Sequence, residues 1–252
     1  MHLRVGPWFI LMPFYVIALI ITIIYIKPDS ILENAEIVYP ELYSNWWYYN
    51  AIVGCWMLGF LIMRLYSKFW IICSFTIQSW TYLTIRHCLT ALSPFFPNKS
   101  HFLLKVNEIL RFPALVTATV TFTVWNFVIA PAIYIFLETP KKRRGFLDFN
   151  FSFVLIQVHV FNIVFAVLNA VSVSPNRLFT FEDLWCSLVM VIAYCLFYWL
   201  ILDRLGIHLY PIFSPRTKYT LISASAGIGV YYAGFVMWNK AIQNGTFEVG
   251  KA

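Results

Sequence analysis

The stretch Phe151–Val173, which reads FSFVLIQVHVFNIVFAVLNAVSV, decides the fold. It contains no Asp, Glu, Lys or Arg. A helix rises about 1.5 Å per residue, so about 20 residues cross the apolar layer of a bilayer, which is about 30 Å thick. Because lipid offers no partner for backbone amides, a segment of this length and composition is predicted to be a membrane-spanning helix.

The rest of the chain has the same apolar character. Of its 252 residues, 61% are hydrophobic and 12% are charged, and the mean hydropathy is +0.73. A soluble domain has about 45–50% apolar and about 25% charged residues. The composition excludes a soluble globular protein and a disordered one. The five cysteines lack the spacing of a metal site or a disulfide framework, which excludes a small disulfide-linked scaffold.

Seven apolar runs are long enough to cross a bilayer. They are Trp8–Ile26, Trp46–Met63, Phe69–Leu92, Pro113–Leu137, Phe151–Val173, Leu184–Leu202 and Tyr219–Trp238. The chain is therefore predicted to be all-α, a polytopic transmembrane helical bundle that forms a single domain over residues 1–252. The number of spans falls to six if the first run is a signal peptide or if the third, which contains Arg86 and His87, is not a span.

The charges of the loops predict the orientation of the chain. The formal net charge is +7, but the basic residues lie at the ends of apolar runs and form no recognisable nucleic-acid module, so no nucleic-acid partner is expected. A cytoplasmic N-terminus places the basic run Lys141–Arg144 inside and the acidic loop with Glu33 and Glu36 outside. The C-terminus is then lumenal or extracellular. Asn98 and Asn244 head Asn-x-Ser/Thr motifs on that side and are candidate glycosylation sites.

Polar side chains at membrane depth are the candidates for function. His159 lies deep in its run, and Asn162 follows three residues later on the same face. A neutral imidazole can take a proton from a hydroxyl nucleophile, so His159 and the Thr84 hydroxyl of another helix form a candidate acyl-transfer pair. The alternatives stay open, because a histidine can also join two helices by hydrogen bonds and a membrane threonine often bonds to its own preceding turn.

The chain lacks the motifs of several other site classes. It has no Gly-rich phosphate loop, no G-x-S-x-G elbow and no His-x-x-x-His metal pair. The sequence therefore predicts neither a metal nor a cofactor. A channel or transporter is disfavoured, because no run carries aligned charges and the two halves show no pair of broken helices.

Four local features make residues 46–238 resemble the androgen-induced gene 1-like family of multispan membrane proteins. They are SWTYLT at Ser79–Thr84, the aromatic and Val-rich helix at Phe122–Phe136, the helix that contains His159, and LGIHLYPIF at Leu205–Phe213. Characterised members of that family are threonine hydrolases of fatty acid esters of hydroxy fatty acids. The resemblance implies a lipid substrate that enters from the bilayer, and a membrane of the endoplasmic reticulum or another endomembrane.

The resemblance also implies roles for individual residues. The family's nucleophile follows a Trp-x-x-Leu pattern, which places it at Thr84, and its base corresponds to His159. Thr84 would attack an ester carbonyl, and the resulting acyl-enzyme would be hydrolysed by a water that His159 activates. Arg86, His87 and Asn162 are candidates to bind the substrate or to orient the base. The chain departs from the family in its additional first span and in the depth of Thr84 within the third run.

A second resemblance points away from catalysis. The string from His159 to Asn162, followed by Asn169 and Pro175, also resembles the rolling-stone family of membrane proteins, for which no catalytic chemistry is implied. Fold is shared more widely than activity, so a non-catalytic multispan protein is the alternative function. The sequence leaves the ester and the oligomeric state open.

Overall fold

The computed structural model describes residues 11–33, 37, 39–67, 73–173, 177–207, 209–210 and 219–245. Within these ranges the ordered elements are helices and no strand occurs, so the prediction of an all-α fold is confirmed. Glu36 of the acidic loop and Pro175 lie outside the described residues, and three predicted segments extend beyond them. They are the start of the first run at Trp8, the start of the third at Phe69 and the end of the LGIHLYPIF segment at Phe213.

The helices follow one another with short connections. In chain order they are α1 (Leu11–Tyr25), α2 (Pro28–Glu33), α3 (Asn45–Ser67), α4 (Phe75–Leu92), α5 (Pro97–Ile109), α6 (Arg111–Val124), α7 (Ala130–Phe136), α8 (Pro140–Asn150), α9 (Phe153–Ile156), α10 (Asn162–Val173), α11 (Phe181–Phe197) and α12 (Tyr219–Gln243). Three wider π-helical turns interrupt the long helices, at Trp125–Ile129, Gln157–Phe161 and Tyr198–Leu202.

Four helical stretches in the described part of the chain are long and apolar enough to cross a membrane. They are Asn45–Tyr66, Pro97–Phe136, Phe153–Val173 and Phe181–Leu202. The chain therefore has the helices of an integral membrane protein. The described parts of α1, α4 and α12 do not meet both the length and the hydropathy criterion. Length and composition thus establish four candidate spans and leave the other three predicted spans unconfirmed.

Three helices, α2, α5 and α8, form in segments that the sequence predicted to be loops. Pro97 begins α5, and Leu104, Asn107 and Glu108 of this helix are buried. Thr139 caps α8 by accepting a hydrogen bond from the backbone N–H of Lys142. The polar residues of these three segments give no long apolar run, although an N-terminal proline and a Thr cap are ordinary signals for the start of a helix.

The core is centred on α4 and α6, which also contact each other. Trp80 of α4 is fully buried, and its indole N–H donates to the carbonyl of Met57 on α3 at 3.2 Å. The same ring lies 5.1 Å from the ring of Phe60 and 6.2 Å from that of Phe165 on α10. Trp80 therefore joins three helices at one level of the bundle.

The ends of three helices meet at one end of the bundle. Phe112, at the start of α6, lies 4.8 Å from the ring of Phe179, just before α11, and 5.9 Å from that of Phe235 on α12. The side chain of Asn239 on α12 accepts from the N–H of Phe179 at 2.7 Å. We call this region the Arg177 end, because Arg177 lies in the same connection as Phe179. The α6 and α11 helices start here, whereas α12 ends here.

Helices α3 and α4 approach each other closely at Gly54. A Cβ atom at this position would lie 3.3 Å from the Cβ of His87 and 3.4 Å from the backbone N of Cys88. At Gly59, on the same helix, a Cβ atom would meet nothing within 4 Å. The absence of a side chain at Gly54 therefore sets the distance between these two helices.

Gly54→Leu is expected to lower the free energy of unfolding by about 1–3 kcal/mol, because overpacking forces the two helices apart. Gly59→Leu is the matched control, since both substitutions raise helix propensity by about the same amount. The measurement is thermal unfolding of the two variants in the same detergent. Equal midpoints for the two variants would contradict the close approach at Gly54.

Candidate functional site

His159 lies in the π-helical turn Gln157–Phe161 and packs against a second such turn. Its ring stacks on that of Trp125 with centroids 4.3 Å apart and an interplanar angle of 13°. The side-chain amide of Asn126 donates to the carbonyl of His159 at 3.2 Å. Wide turns of this kind often occur at functional sites, because the extra residue changes the direction of the side chains.

The imidazole of His159 has an unusual environment. The residue is 6% exposed, and its Nδ1 atom is buried without a hydrogen-bond partner. Most buried polar side-chain atoms have a partner, so one that lacks it calls for an explanation. A ring nitrogen without a partner can accept a hydrogen bond or a proton, which is the property that a general base needs.

Helices α4 and α10 pack in parallel, and two hydrogen bonds define their register. Asn162 Nδ2 donates to Ser79 Oγ at 3.0 Å, and Arg86 Nε donates to Asn169 Oδ1 at 2.7 Å. The two residues of each pair are 83 positions apart in the chain. With the same offset of 83 positions, His159 lies at the same height along the helix axes as residue 76 of α4.

This register separates the two predicted catalytic residues. Thr84 lies about eight residues beyond the level of His159, which is roughly 12 Å of helix rise. The Thr84 hydroxyl is buried and donates to the carbonyl of Trp80 at 2.8 Å, as membrane threonines commonly do. The structure shows no hydrogen bond between Thr84 and His159, and the register does not bring their side chains together.

Thr76 is level with His159 but only partly buried, and the next hydroxyl residue of α4 is Ser79. It is fully buried, and it lies about three residues, or roughly 4.5 Å of rise, above the level of the histidine. Its Oγ accepts from Asn162, while Asn162 Oδ1 is buried without a partner. Ser79 cannot be selected from the sequence, because the offset between two helices distant in the chain is a tertiary property. Asn162 follows His159 by three residues, directly after the π-helical turn.

Arg86 and His87 belong to a different polar cluster, closer to the Arg177 end. The Nδ1 atom of His87 lies 2.8 Å from Asn50 Oδ1, and Asn169 Nδ2 donates to the same Asn50 oxygen at 2.8 Å. Arg86 is level with Asn169, about ten residues or roughly 15 Å of rise from His159. The three predicted substrate-binding residues are therefore divided, with Asn162 beside the histidine and the other two in this cluster.

An ionic cluster closes the Arg177 end. Arg177 binds both oxygens of the Asp183 carboxylate, at 2.9 and 3.0 Å, and its Nε lies 2.5 Å from Glu108 Oε1. Arg111 Nη1 lies 3.7 Å from the same Glu108 oxygen. Burial favours the neutral form of Arg177, but the hydrogen bonds and charges of the two carboxylates outweigh it and raise the pKa of this guanidinium. Arg177 is therefore charged at every physiological pH.

In the described part of the chain no group of three or more His, Cys, Asp or Glu residues is arranged to hold a metal ion. The site around His159 accordingly consists of an imidazole, a hydroxyl and an amide, which are the groups of acid–base and nucleophilic chemistry. The two family resemblances of the sequence stay predictions, because comparison of the chain with protein-family models, curated proteins and solved structures finds no match.

Proposed function

We propose that this chain is an intramembrane lipid ester hydrolase in which His159 is the general base. The observation that carries the proposal is the buried Nδ1 of His159, which has no hydrogen-bond partner and lies one helical turn from the Ser79–Asn162 pair. A base must be free to accept the proton of its nucleophile. The resemblance to the threonine hydrolases supports the same reaction class.

The register favours Ser79 over Thr84 as the nucleophile. Ser79 Oγ would attack the ester carbonyl carbon while its proton passes to His159, and the alcohol leaves with that proton when the tetrahedral intermediate collapses. A water then attacks the acyl-serine, again giving its proton to His159, and Ser79 is released together with the carboxylic acid. Asn162 Nδ2 holds the hydroxyl in place. Pairs of this kind are often too far apart for a hydrogen bond until the substrate binds.

We propose seven membrane crossings, formed by α1, α3, α4, α6 with α7, α9 with α10, α11 and α12. Two observations support the alternating direction of successive crossings. First, α6 and α11 start at the Arg177 end, where α12 finishes. Second, Tyr15 of α1 lies 4.9 Å from the ring of Trp199, towards the other end of α11. The exposed basic residues of α8 then face the cytoplasm and the Arg177 end faces the lumen.

The proposed location is an endomembrane such as the endoplasmic reticulum, with the lipid entering sideways from the bilayer. Large apolar side chains are exposed along the outer faces of the helices, among them Phe127, Phe161 and Ile201. The exposed Asn98, in the first turn of α5, would be glycosylated in this orientation.

Labelling of the purified protein by a fluorophosphonate probe tests the hydrolase proposal. The probe is expected to label the wild type, and labelling should be lost in Ser79→Ala and in His159→Ala. Thr84→Ala should be labelled like the wild type. Its matched control is Thr81→Ala, because Thr81 makes the same bond to its preceding turn, with Oγ1 to the Ile77 carbonyl at 2.8 Å.

The outcomes of this labelling are distinct. If Thr84→Ala loses the fluorophosphonate label and Ser79→Ala keeps it, Thr84 is the nucleophile and the proposed role of Ser79 is contradicted. No labelling of the folded wild type, or equal labelling of all variants, would overturn the hydrolase proposal. Each variant is compared at the same monodispersity in gel filtration, so that loss of the fold is not mistaken for loss of the nucleophile.

The second candidate function is a non-catalytic membrane protein of rolling-stone type. It is favoured by the hydrogen bonds of Asn162 to Ser79 and of Asn169 to Arg86, which join α10 to α4 as structural contacts would. In that case all four labelling variants give the same result as the wild type.

A further inference from the structure

The buried charges near the Arg177 end do not balance. The ionisable side chains there are three arginines and two carboxylates, namely Arg86, Arg111, Arg177, Glu108 and Asp183. The two carboxylates pair with Arg111 and Arg177. These five side chains therefore carry one net positive charge. Arg86 shares the charge of Glu108 with Arg111 and Arg177 and has no carboxylate of its own among the described residues.

The groups that hold Arg86 in place by hydrogen bonds are neutral. It is 1% exposed, its Nε donates to Asn169 Oδ1 at 2.7 Å, and its Nη1 donates to the carbonyl of Asn107. Its Nη2 is buried and has no hydrogen-bond partner. A buried charge without a counter-ion is very costly, so an arrangement of this kind suits an anion that binds there.

Two further atoms without partners lie in the same cluster. Both Arg111 Nε and Asn107 Oδ1 are buried and make no hydrogen bond. Arg111 Nε is a donor and can bind an anion, whereas Asn107 Oδ1 is an acceptor and cannot. Asn107 Nδ2 donates to Thr90 Oγ1 at 2.9 Å, and Thr90 Oγ1 donates to the carbonyl of Arg86 at 3.0 Å. These bonds make Asn107 and Thr90 immediate neighbours of the arginine.

A surface cleft leads towards this cluster. Its volume is about 210 Å³, and it is lined by Tyr39, Pro40, Ser93, Pro94, Pro97 and Ser100. The buried Ser93 lines the cleft and donates through its Oγ to the carbonyl of Thr90 at 3.1 Å. Hydrogen-bonded residues therefore lead from Ser93 at the cleft through Thr90 and Asn107 to the guanidinium of Arg86.

The lining of the cleft and its surroundings indicate the kind of anion. The planar guanidinium matches a carboxylate, and a single unmatched positive charge calls for a monoanion. Leu92, Phe95 and Phe96, beside the cleft, are 47%, 53% and 50% exposed and offer an apolar surface to an acyl chain. We propose that Arg86 binds the carboxylate of a single-chain amphiphile, which enters through this cleft.

The test is thermal unfolding of the full-length protein in a mild non-ionic detergent, with oleate as the probe. Oleate is expected to raise the wild-type midpoint by several degrees, because a ligand that binds only the folded state stabilises it. Oleyl alcohol, which has the same chain without the charge, should give no shift. Acetate tests a carboxylate without the acyl chain, and chloride tests a small anion without a carboxylate. A midpoint shift with acetate as well as oleate identifies a small carboxylate as sufficient, and a shift with oleate alone identifies the amphiphile.

Variants assign the effect to Arg86. Arg86→Gln should abolish the oleate shift, while Arg144→Gln, at an exposed arginine of α8, should retain it. His159→Ala should also retain it, so this site can be confirmed even if the hydrolase proposal fails. If Arg86→Gln does not fold, Asn107→Asp serves instead: it supplies an internal carboxylate next to Arg86, and it should raise the basal midpoint and remove the response to oleate.

Three results would overturn the proposal. The first is an oleate shift that persists in folded Arg86→Gln or, where that variant does not fold, in Asn107→Asp. The second is an equal shift with oleyl alcohol or with chloride. The third is a wild type that responds to no carboxylate, which would mean that a carboxylate of the chain itself neutralises Arg86.

Discussion

Replacing Arg177 with alanine is expected to lower the free energy of unfolding by about 3–5 kcal/mol, because it leaves the buried carboxylates of Glu108 and Asp183 without their main partner. The side chain of Arg177 is 6% exposed, and those of the two acids are 3% and 0% exposed. Neither carboxylate can be rehydrated without opening the Arg177 end. The measurement is the thermal unfolding midpoint in detergent, followed by tryptophan fluorescence.

The exposed ion pair of Lys142 with Glu138 provides the control. Its nitrogen and oxygen are 3.7 Å apart, and the two side chains are 60% and 83% exposed. Lys142→Ala is expected to change the free energy of unfolding by less than about 1 kcal/mol, as is usual for surface pairs. A similar small effect for Arg177→Ala would show that the cluster at the Arg177 end is hydrated in solution.

Asn169→Leu is expected to have an effect of comparable size, about 3–5 kcal/mol. The amide of Asn169 accepts from Arg86 Nε at 2.7 Å and donates to Asn50 Oδ1 at 2.8 Å. Leucine has nearly the same shape but leaves the buried Arg86 Nε without this acceptor, while Asn50 Oδ1 keeps only its contact with His87 Nδ1 at 2.8 Å. An unpaired charged donor costs more than a neutral one. Thermal unfolding in the same detergent measures the loss.

Asn150→Leu is the matched control for this second prediction. Asn150 accepts from the indole N–H of Trp125 at 2.8 Å, but it lies at the partly exposed end of α8, where water can replace it. Its loss should therefore cost less than about 1.5 kcal/mol. If the two leucine variants unfold at the same temperature, the hydrogen bonds around Asn169 do not hold α4 against α10.

The sequence predicted the helical class and the positions of the apolar helices, because membrane helices are defined by local hydropathy. It placed the start of the sixth run at Leu184, whereas α11 begins at Phe181. The difference comes from the reciprocal hydrogen bonds between Thr180 and Asp183, which cap the helix three residues earlier. Signals from one or two polar residues are easily overlooked beside an apolar run.

The candidate site could be predicted only in part. Depth within an apolar run selected His159, which the structure shows to be buried, and a spacing of three residues selected Asn162, which is fully buried. The partner on α4 could not be selected in this way, because the choice between Ser79 and Thr84 depends on the axial offset of two helices. That offset is fixed by side-chain pairs such as Arg86 and Asn169, whose contact is not visible in either segment alone.

The π-helical turns have a consequence for changes in chain length. Each of them is what a helix becomes when one residue is inserted while both flanking parts keep their packing. Deleting one residue from Gln157–Phe161 would return this turn to ordinary helix and leave the Asn162–Ser79 and Asn169–Arg86 contacts intact. The segment before it would rotate by about 100°, since that is the angle per residue in an α-helix. Deletion of a single codon would thus replace His159 by another residue at the position that stacks on Trp125.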